Sequence, residues 1–230
     1  MCAPNTGCPE SRPATIIRGM AIAHLLDALL TEIDTGLRVL TAVTPATRPS
    51  PAAGLGAPPL SAEDRASGAA LMRVNHAGEV AAQALYRGQA FTTRDPTIRQ
   101  SLQNAAREEQ DHLGWCEQRI RELGGHTSLF GPLWYAGSFA LGAAAGLLGT
   151  SRGLGFVVET ERQVEEHLSN HLDRLPVADL ASREILRQIQ TDEAVHGSRA
   201  RELGGAGLPA PARMAMRLVA RIMTTVAHRL

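Results

Sequence analysis

The stretch EEQDH, residues 108–112, sets a Glu and a His three positions apart, and DEAVH, residues 192–196, does so again further along the chain. Positions i and i+3 share one face of a helix. Glu109 with His112, and Glu193 with His196, therefore each form a pair of donors on one side of a rod. A single Glu-x-x-His is ordinary surface charge, but two invite the question of whether they are halves of one site. Their surroundings bear on it. Both helical patterns end in RELGG, at 121–125 and 201–205, where glycine suits a left-handed C-cap. Each follows another helical pattern across a Pro-containing turn, at Asp95-Pro96 and Leu175-Pro176. The repeat unit is a helical hairpin, used twice.

Outward from the hairpins the chain stays helical. Patterns cover about 61–91 and 97–123, then 153–174 and 179–203, with a last one at 212–230. Leu26, Leu29, Leu30, Ile33, Leu37 and Leu40 predict a helix over about 21–43, and a Gly/Ala-rich apolar run occupies 129–149. No stretch alternates with period two, so the fold class is all-α: a four-helix bundle of two hairpins, with an apolar helix and a C-terminal amphipathic helix added. Residues 45–59, PATRPSPAAGLGAPP, read as a Pro/Ala linker. The domain division is then 1–59, holding leader, one helix and linker, and 60–230, holding the bundle. Residues 1–19 contain three prolines and no signal-peptide pattern; they read as dispensable, with Met20 an alternative start to Met1.

Helix geometry selects the residues that can meet. Glu79 and Glu109 lie at similar heights on the two legs of the first hairpin, roughly 21–24 Å from its turn. Glu161 and Glu193 level up in the second hairpin in the same way. Packed together, the hairpins gather Glu79, Glu109, His112, Glu161, Glu193 and His196. Four carboxylates in a bundle interior repel unless cations neutralise them. The set matches the di-metal carboxylate bundle, with one Glu from each of two helices and a Glu-x-x-His from each of the others. Mixed carboxylate and imidazole donors suit iron or manganese. Glu159 is the rival to Glu161 but falls on another face. Asp111, Asp192 and His167 are candidates to support the ligands from behind, as carboxylates orient ligating imidazoles. Glu108, Glu117, Glu165 and Glu166 read as exposed charge, and His76 as a non-ligand.

Composition excludes other classes. The formal net charge is zero, which argues against a nucleic-acid partner. All 23 basic residues are Arg, and without Lys there is no Schiff-base or Walker-type chemistry. Three unpatterned cysteines, Cys2, Cys8 and Cys116, form neither a disulfide framework nor a zinc site.

LMRVNHAGEVAAQALYRGQ (71–89), EEQDHL (108–113), VVETERQVEEHL (157–168) and TDEAVHG (191–197) resemble the Coq7 family of demethoxyubiquinone hydroxylases. The likeness extends over about 60–230. It implies a ferritin-like di-iron monooxygenase of ubiquinone biosynthesis, with two iron ions held by the six residues named above. The implied substrate is a polyprenyl 3-methyl-6-methoxy-1,4-benzoquinol, hydroxylated on its ring with O₂ and two electrons from NADH or a reduced quinol. No dinucleotide fingerprint is present. One departure is that Leu168 follows His167, where many eukaryotic members carry Tyr. The alternative reading is a ferritin- or rubrerythrin-like iron-handling protein with no quinone substrate.

A lipid-borne substrate turns attention to the apolar run. It is long enough to span a bilayer, yet a crossing would separate Glu109 and His112 from Glu161. The expectation is a monotopic, peripheral protein on the cytoplasmic face of a bacterial cell membrane, or on the matrix side of a mitochondrial inner membrane. Ser138, Gly142 and Gly146 form a small-residue ridge for close helix contact. Trp134 and Tyr135 suit a membrane interface. Arg213, Arg217 and Arg221 suit anionic headgroups. Other ubiquinone-biosynthesis proteins are implied partners, and a homo-oligomer is compatible with this reading.

Overall fold

The computed structural model describes residues 14–41, 45–56 and 59–230; for residues 14–22, 24 and 25 it describes the backbone alone. It contains α1 (Ala14–Thr41), α2 (Ala62–Thr92), α3 (Pro96–Glu122), α4 (Gly131–Leu147), α5 (Thr150–Arg174), α6 (Leu180–Glu202) and α7 (Ala210–Arg229). There is no strand among the described residues, and the fold is an all-α helical bundle. The helix α1 begins well before the expected position 21, so helical structure precedes Met20. Expectations about residues 1–13 lie outside the described residues.

Local chemistry starts and stops these helices where the sequence signals lie. The Ser61 hydroxyl accepts from the Asp64 amide at 3.0 Å and caps α2. Asp95 caps α3 through the Thr97 and Ile98 amides, with Pro96 in the first turn. Asp179 caps α6 through the Ser182 amide at 3.0 Å. The two RELGG ends close alike. Gly124 has φ 77° and Gly204 φ 99°, and the following amides, of Gly125 and Gly205, donate to Ile120 and Ala200 carbonyls at 2.9 and 3.0 Å. The sequence repeat is thus a structural one.

The hairpin α2–α3 packs on the hairpin α5–α6 around Leu71, Met72, Ile120, Leu168, Ile185, Leu186 and Ile189. The central helix is α2, because α1, α4 and α7 cover its outer side. The contact between α2 and α4 is made by glycine. A Cβ at Gly88 would lie 2.1 Å from the Phe139 carbonyl oxygen, and one at Gly142 2.1 Å from that of Leu85. Gly146 meets Gln89 and Thr92 in the same way, so Gly142 and Gly146 of the expected ridge face α2. Tyr135 differs from expectation. Its ring is buried among Val80, Ala84 and Leu113, against Gly36, rather than standing at an outer surface.

The short α7 is held at its end. Arg73 donates to the Ala227 and His228 carbonyls at 2.7 and 2.6 Å, a cation at the negative end of a helix dipole. Among the described residues no helix is long and apolar enough to cross a membrane.

Candidate metal centre

The levelling of helices α2, α3, α5 and α6 brings all six predicted side chains into one buried cluster. Donor atoms of Glu79, Glu109, His112 and Glu193 lie within 4.8 Å of one another. His112 Nδ1 is 3.0 Å from Glu109 Oε2, 3.3 Å from Glu193 Oε1 and 3.6 Å from Glu79 Oε2. His196 Nδ1 is 3.1 Å from Glu193 Oε2 and 3.5 Å from Glu109 Oε1. Glu161 joins them on the His196 side, where the buried Tyr86 hydroxyl donates to its Oε1. Glu159, two residues away, turns to Arg162 and Gln163 instead, at 2.8 and 2.7 Å.

The residues behind the histidines are not all those expected. Asp192 Oδ2 sits 3.0 Å from His112 Nε2. Asp111 is not its counterpart; it accepts from the Thr47 hydroxyl and from Arg48 Nε, at 2.9 and 2.8 Å. The residue against His196 Nε2 is Glu108, at 2.7 Å. Glu108 is therefore not merely exposed charge. The repeat contained the signal, since Glu108 and Asp192 each immediately precede the Glu of their motif, whereas Asp111 follows it. Tyr86 was equally legible as the position two turns after Glu79 on the same face of α2. His167 lies apart from this arrangement, with its ring centroid 3.9 Å from that of His171, and Asn75 Oδ1 stands 2.9 Å from His171 Nδ1. Burial lowers the pKa of His76 to about 4.

The charges of the cluster's own side chains oppose and offset one another. Burial raises all four carboxyl pKa values. Glu79 and Glu161 stay well above the usual range, because neighbouring Glu109 and Glu193 charges add to the burial. For Glu109 and Glu193 the imidazoles of His112 and His196 outweigh burial and pull the pKa down. Burial opposes charge on the imidazoles, but adjacent carboxylates overcome it. His112 is held well above its ordinary value and His196 reaches about 12. Charge is thus favoured on the two imidazoles and on Glu109 and Glu193, and disfavoured on Glu79 and Glu161. Asp192 is pushed up by burial but held down to about 2 by His112 and Arg48.

This donor set fits a cation. Glu109 Oε1, Glu161 Oε2 and Glu193 Oε1 are buried without a hydrogen-bond partner, and an unsatisfied buried carboxylate oxygen is costly. Both imidazoles turn Nδ1 towards these oxygens and are backed at Nε2 by a carboxylate, the arrangement that orients a ligating histidine. Fold and site define a class, the carboxylate-and-histidine four-helix bundle able to hold metal.

Comparison places the chain more narrowly. The sequence profile of the family described as "Ubiquinone biosynthesis protein COQ7" matches residues 66–227. The protein named 3-demethoxyubiquinol 3-hydroxylase in Ralstonia pickettii (strain 12J) is 54% identical over 217 residues, covering 90% of this chain and 100% of that protein. Proteins of the same name in Variovorax paradoxus (strain S110) and Chromobacterium violaceum are 54% and 53% identical, each covering 89% of this chain and 98% and 100% of their own length. The chain belongs to the COQ7 family. A dodecameric thioferritin, the bacterioferritin-related protein from Bacteroides fragilis, aligns with 72% of this chain and 92% of its own at TM-score 0.48 and 15% identity, too distant a likeness to argue from.

Proposed function

We propose that the protein is a di-iron monooxygenase that hydroxylates the ring of a polyprenyl 3-methyl-6-methoxy-1,4-benzoquinol in ubiquinone biosynthesis. The observation that carries this is the buried cluster of four carboxylates and two imidazoles in a chain so similar to proteins named 3-demethoxyubiquinol 3-hydroxylase. Glu79, Glu109, His112, Glu161, Glu193 and His196 are the proposed ligands. Two iron ions, when bound, supply the reduction of O₂ and the delivery of an electrophilic oxygen. One atom of O₂ enters the ring as hydroxyl and the other leaves as water, using two electrons and two protons. NADH or a reduced quinol is the proposed electron source.

The chain's own residues prepare the site. Tyr86 fixes one oxygen of Glu161 and leaves Oε2 free to bind. Asp192 and Glu108 occupy Nε2 of the two histidines and leave Nδ1 facing inward. Full burial of Glu109 and His112 keeps bulk water away, which protects a reactive oxidant. Neighbouring helices α1, α4 and α7 leave apolar side chains outside, among them Leu30, Leu133, Leu141, Leu218 and Ile222. This supports attachment to a membrane surface as a peripheral protein, from which the quinol enters the bundle; the six proposed ligands all lie in residues 60–230, the proposed catalytic domain.

Complementation of a mutant blocked at this quinone hydroxylation, with quinones profiled by mass spectrometry, tests the activity. Restored hydroxylated quinone is expected. Iron uptake without any hydroxylated product would instead favour an iron-handling protein. Carbonate release from liposomes, with no protease-protected fragment around 130–150, is the result expected for surface attachment.

A further inference from the structure

The Pro-rich segment preceding α2 is more than a linker. Thr47 and Arg48 lie across α3 and α6 at the level of the cluster. The Arg48 guanidinium donates through Nε to Asp111 Oδ2 at 2.8 Å and through Nη2 to Asp192 Oδ2 at 2.9 Å. It thereby ties one carboxylate of each hairpin to the other. The segment is itself anchored. The Thr47 amide and hydroxyl and the Arg48 amide all donate to Asp111. The guanidinium carbon stands 4.7 Å over the Trp115 ring, whose Nε1–H donates back to the Arg48 carbonyl at 3.2 Å.

Asp192 is the consequential partner. Its Oδ1 accepts from Gln188 Nε2 at 3.0 Å, and its Oδ2 meets both Arg48 and His112 Nε2. With donors on both oxygens, the carboxylate has one orientation available and accepts from His112. His112 Nε2 is thereby held against Asp192, and Nδ1 is aimed at Glu79, Glu109 and Glu193. Among the described residues nothing comparable holds Glu108, whose side chain is 44% exposed.

We propose that Arg48 is a positioning residue of the metal centre, which reaches over from the segment before the bundle to lock Asp192 against His112 Nε2 and so aim Nδ1 as a ligand. This rests on the reading of the six-residue cluster as the metal site. Two consequences follow from the geometry. The domain boundary at 59 cuts through the support of the site, and a chain beginning at residue 60 binds metal more weakly than one beginning at residue 20. Arg48 also acts only through Asp192, so removing both groups costs no more than removing Asp192.

The test is a double-mutant cycle on the full chain, with anaerobic ferrous iron as the probe. Iron affinity and the Tm of the metal-free protein are measured for wild type, Arg48→Met, Asp192→Asn and the double variant. Met preserves the stem over Trp115 and removes the charge. Each single variant is expected to weaken iron binding about 10-fold or more, and the double variant to match Asp192→Asn. Where Arg48→Met does not fold, Arg48→Lys, which cannot bridge both carboxylates, should show the same direction with a smaller loss. Wild-type iron affinity in Arg48→Met, or losses that add in the double variant, would overturn the proposal, as would a lowered metal-free Tm with unchanged affinity. A wild-type protein that binds no ferrous iron would remove the reading of the site itself, a separate failure visible in the first arm.

Discussion

The two Glu-x-x-His halves share a sequence pattern, a helix end and a place in the cluster, yet they are supported differently. His112 is fully buried, and its Asp192 is 16% exposed in the side chain and gripped by Arg48 and Gln188. His196 is backed by the half-exposed Glu108. It also borders a narrow crevice formed with Tyr86, Leu102, Ala105, Leu154 and Ala200. The comparison teaches that a duplicated motif need not make a symmetric site. One half is clamped from outside the bundle, while the other adjoins a gap between helices.

The strongest way to break the comparison is to remove a proposed ligand. Glu161→Ala and Glu79→Ala should each abolish iron retention and hydroxylation, a loss beyond the roughly 100-fold that a supporting residue costs. Their helices should remain folded without iron, because burial and the nearby Glu109 and Glu193 charges disfavour the charged form of both groups. Circular dichroism with iron analysis decides this. Glu159→Ala should leave activity near wild type, since Glu159 is engaged by Arg162 and Gln163 rather than by the cluster. Activity lost in Glu159→Ala and kept in Glu161→Ala would exchange their roles.

The asymmetry itself is read from Asp192→Asn against Glu108→Gln. The first should weaken ferrous binding about 10- to 100-fold, and the second by clearly less, because among the described residues no donor network like that on Asp192 holds Glu108 in place. Equal losses by titration would show that the two histidines depend on their carboxylates alike.

The same cluster sets a dependence on pH. Metal must displace protons from the His112 and His196 imidazoliums and from the Glu79 and Glu161 acids, all of which have raised pKa values. Protons and metal compete, so apparent affinity rises with pH and falls in acid, by about tenfold per pH unit for each proton released. Ferrous titrations between about pH 6 and 8, with proton release followed by indicator dye, check the sign. A flat profile would mean that the groups are already deprotonated in the empty cluster.

The smallest effect concerns the framework. Gly142→Ala should lower stability by about 1–3 kcal/mol, because the new methyl overlaps the Leu85 carbonyl. Gly137→Ala in the same helix meets nothing within 4 Å and should be neutral or slightly stabilising, as Ala suits a helix interior better than Gly. Thermal melts of the two variants separate close packing from simple helix propensity.

The amino-acid sequence by itself determined the helices and the level at which the six residues stand. Periodicity, N-caps and glycine ends are local signals, and a rise of 1.5 Å per residue turns spacing into height. It also contained Glu108 and Tyr86, through the symmetry of the motifs and the two-turn interval from Glu79. Only the tertiary structure decided how these groups are used. A lone Glu on a helix reads as solvated until α6 brings His196 against it. PATRPSP reads as linker by composition, because its value to the site lies in bonds from Arg48 to Asp111 and Asp192, 63 and 144 residues away. Tyr135 turns inward because Gly36 leaves room for its ring. Contacts between segments distant in the chain depend on three-dimensional packing, and no local pattern in the sequence encodes them.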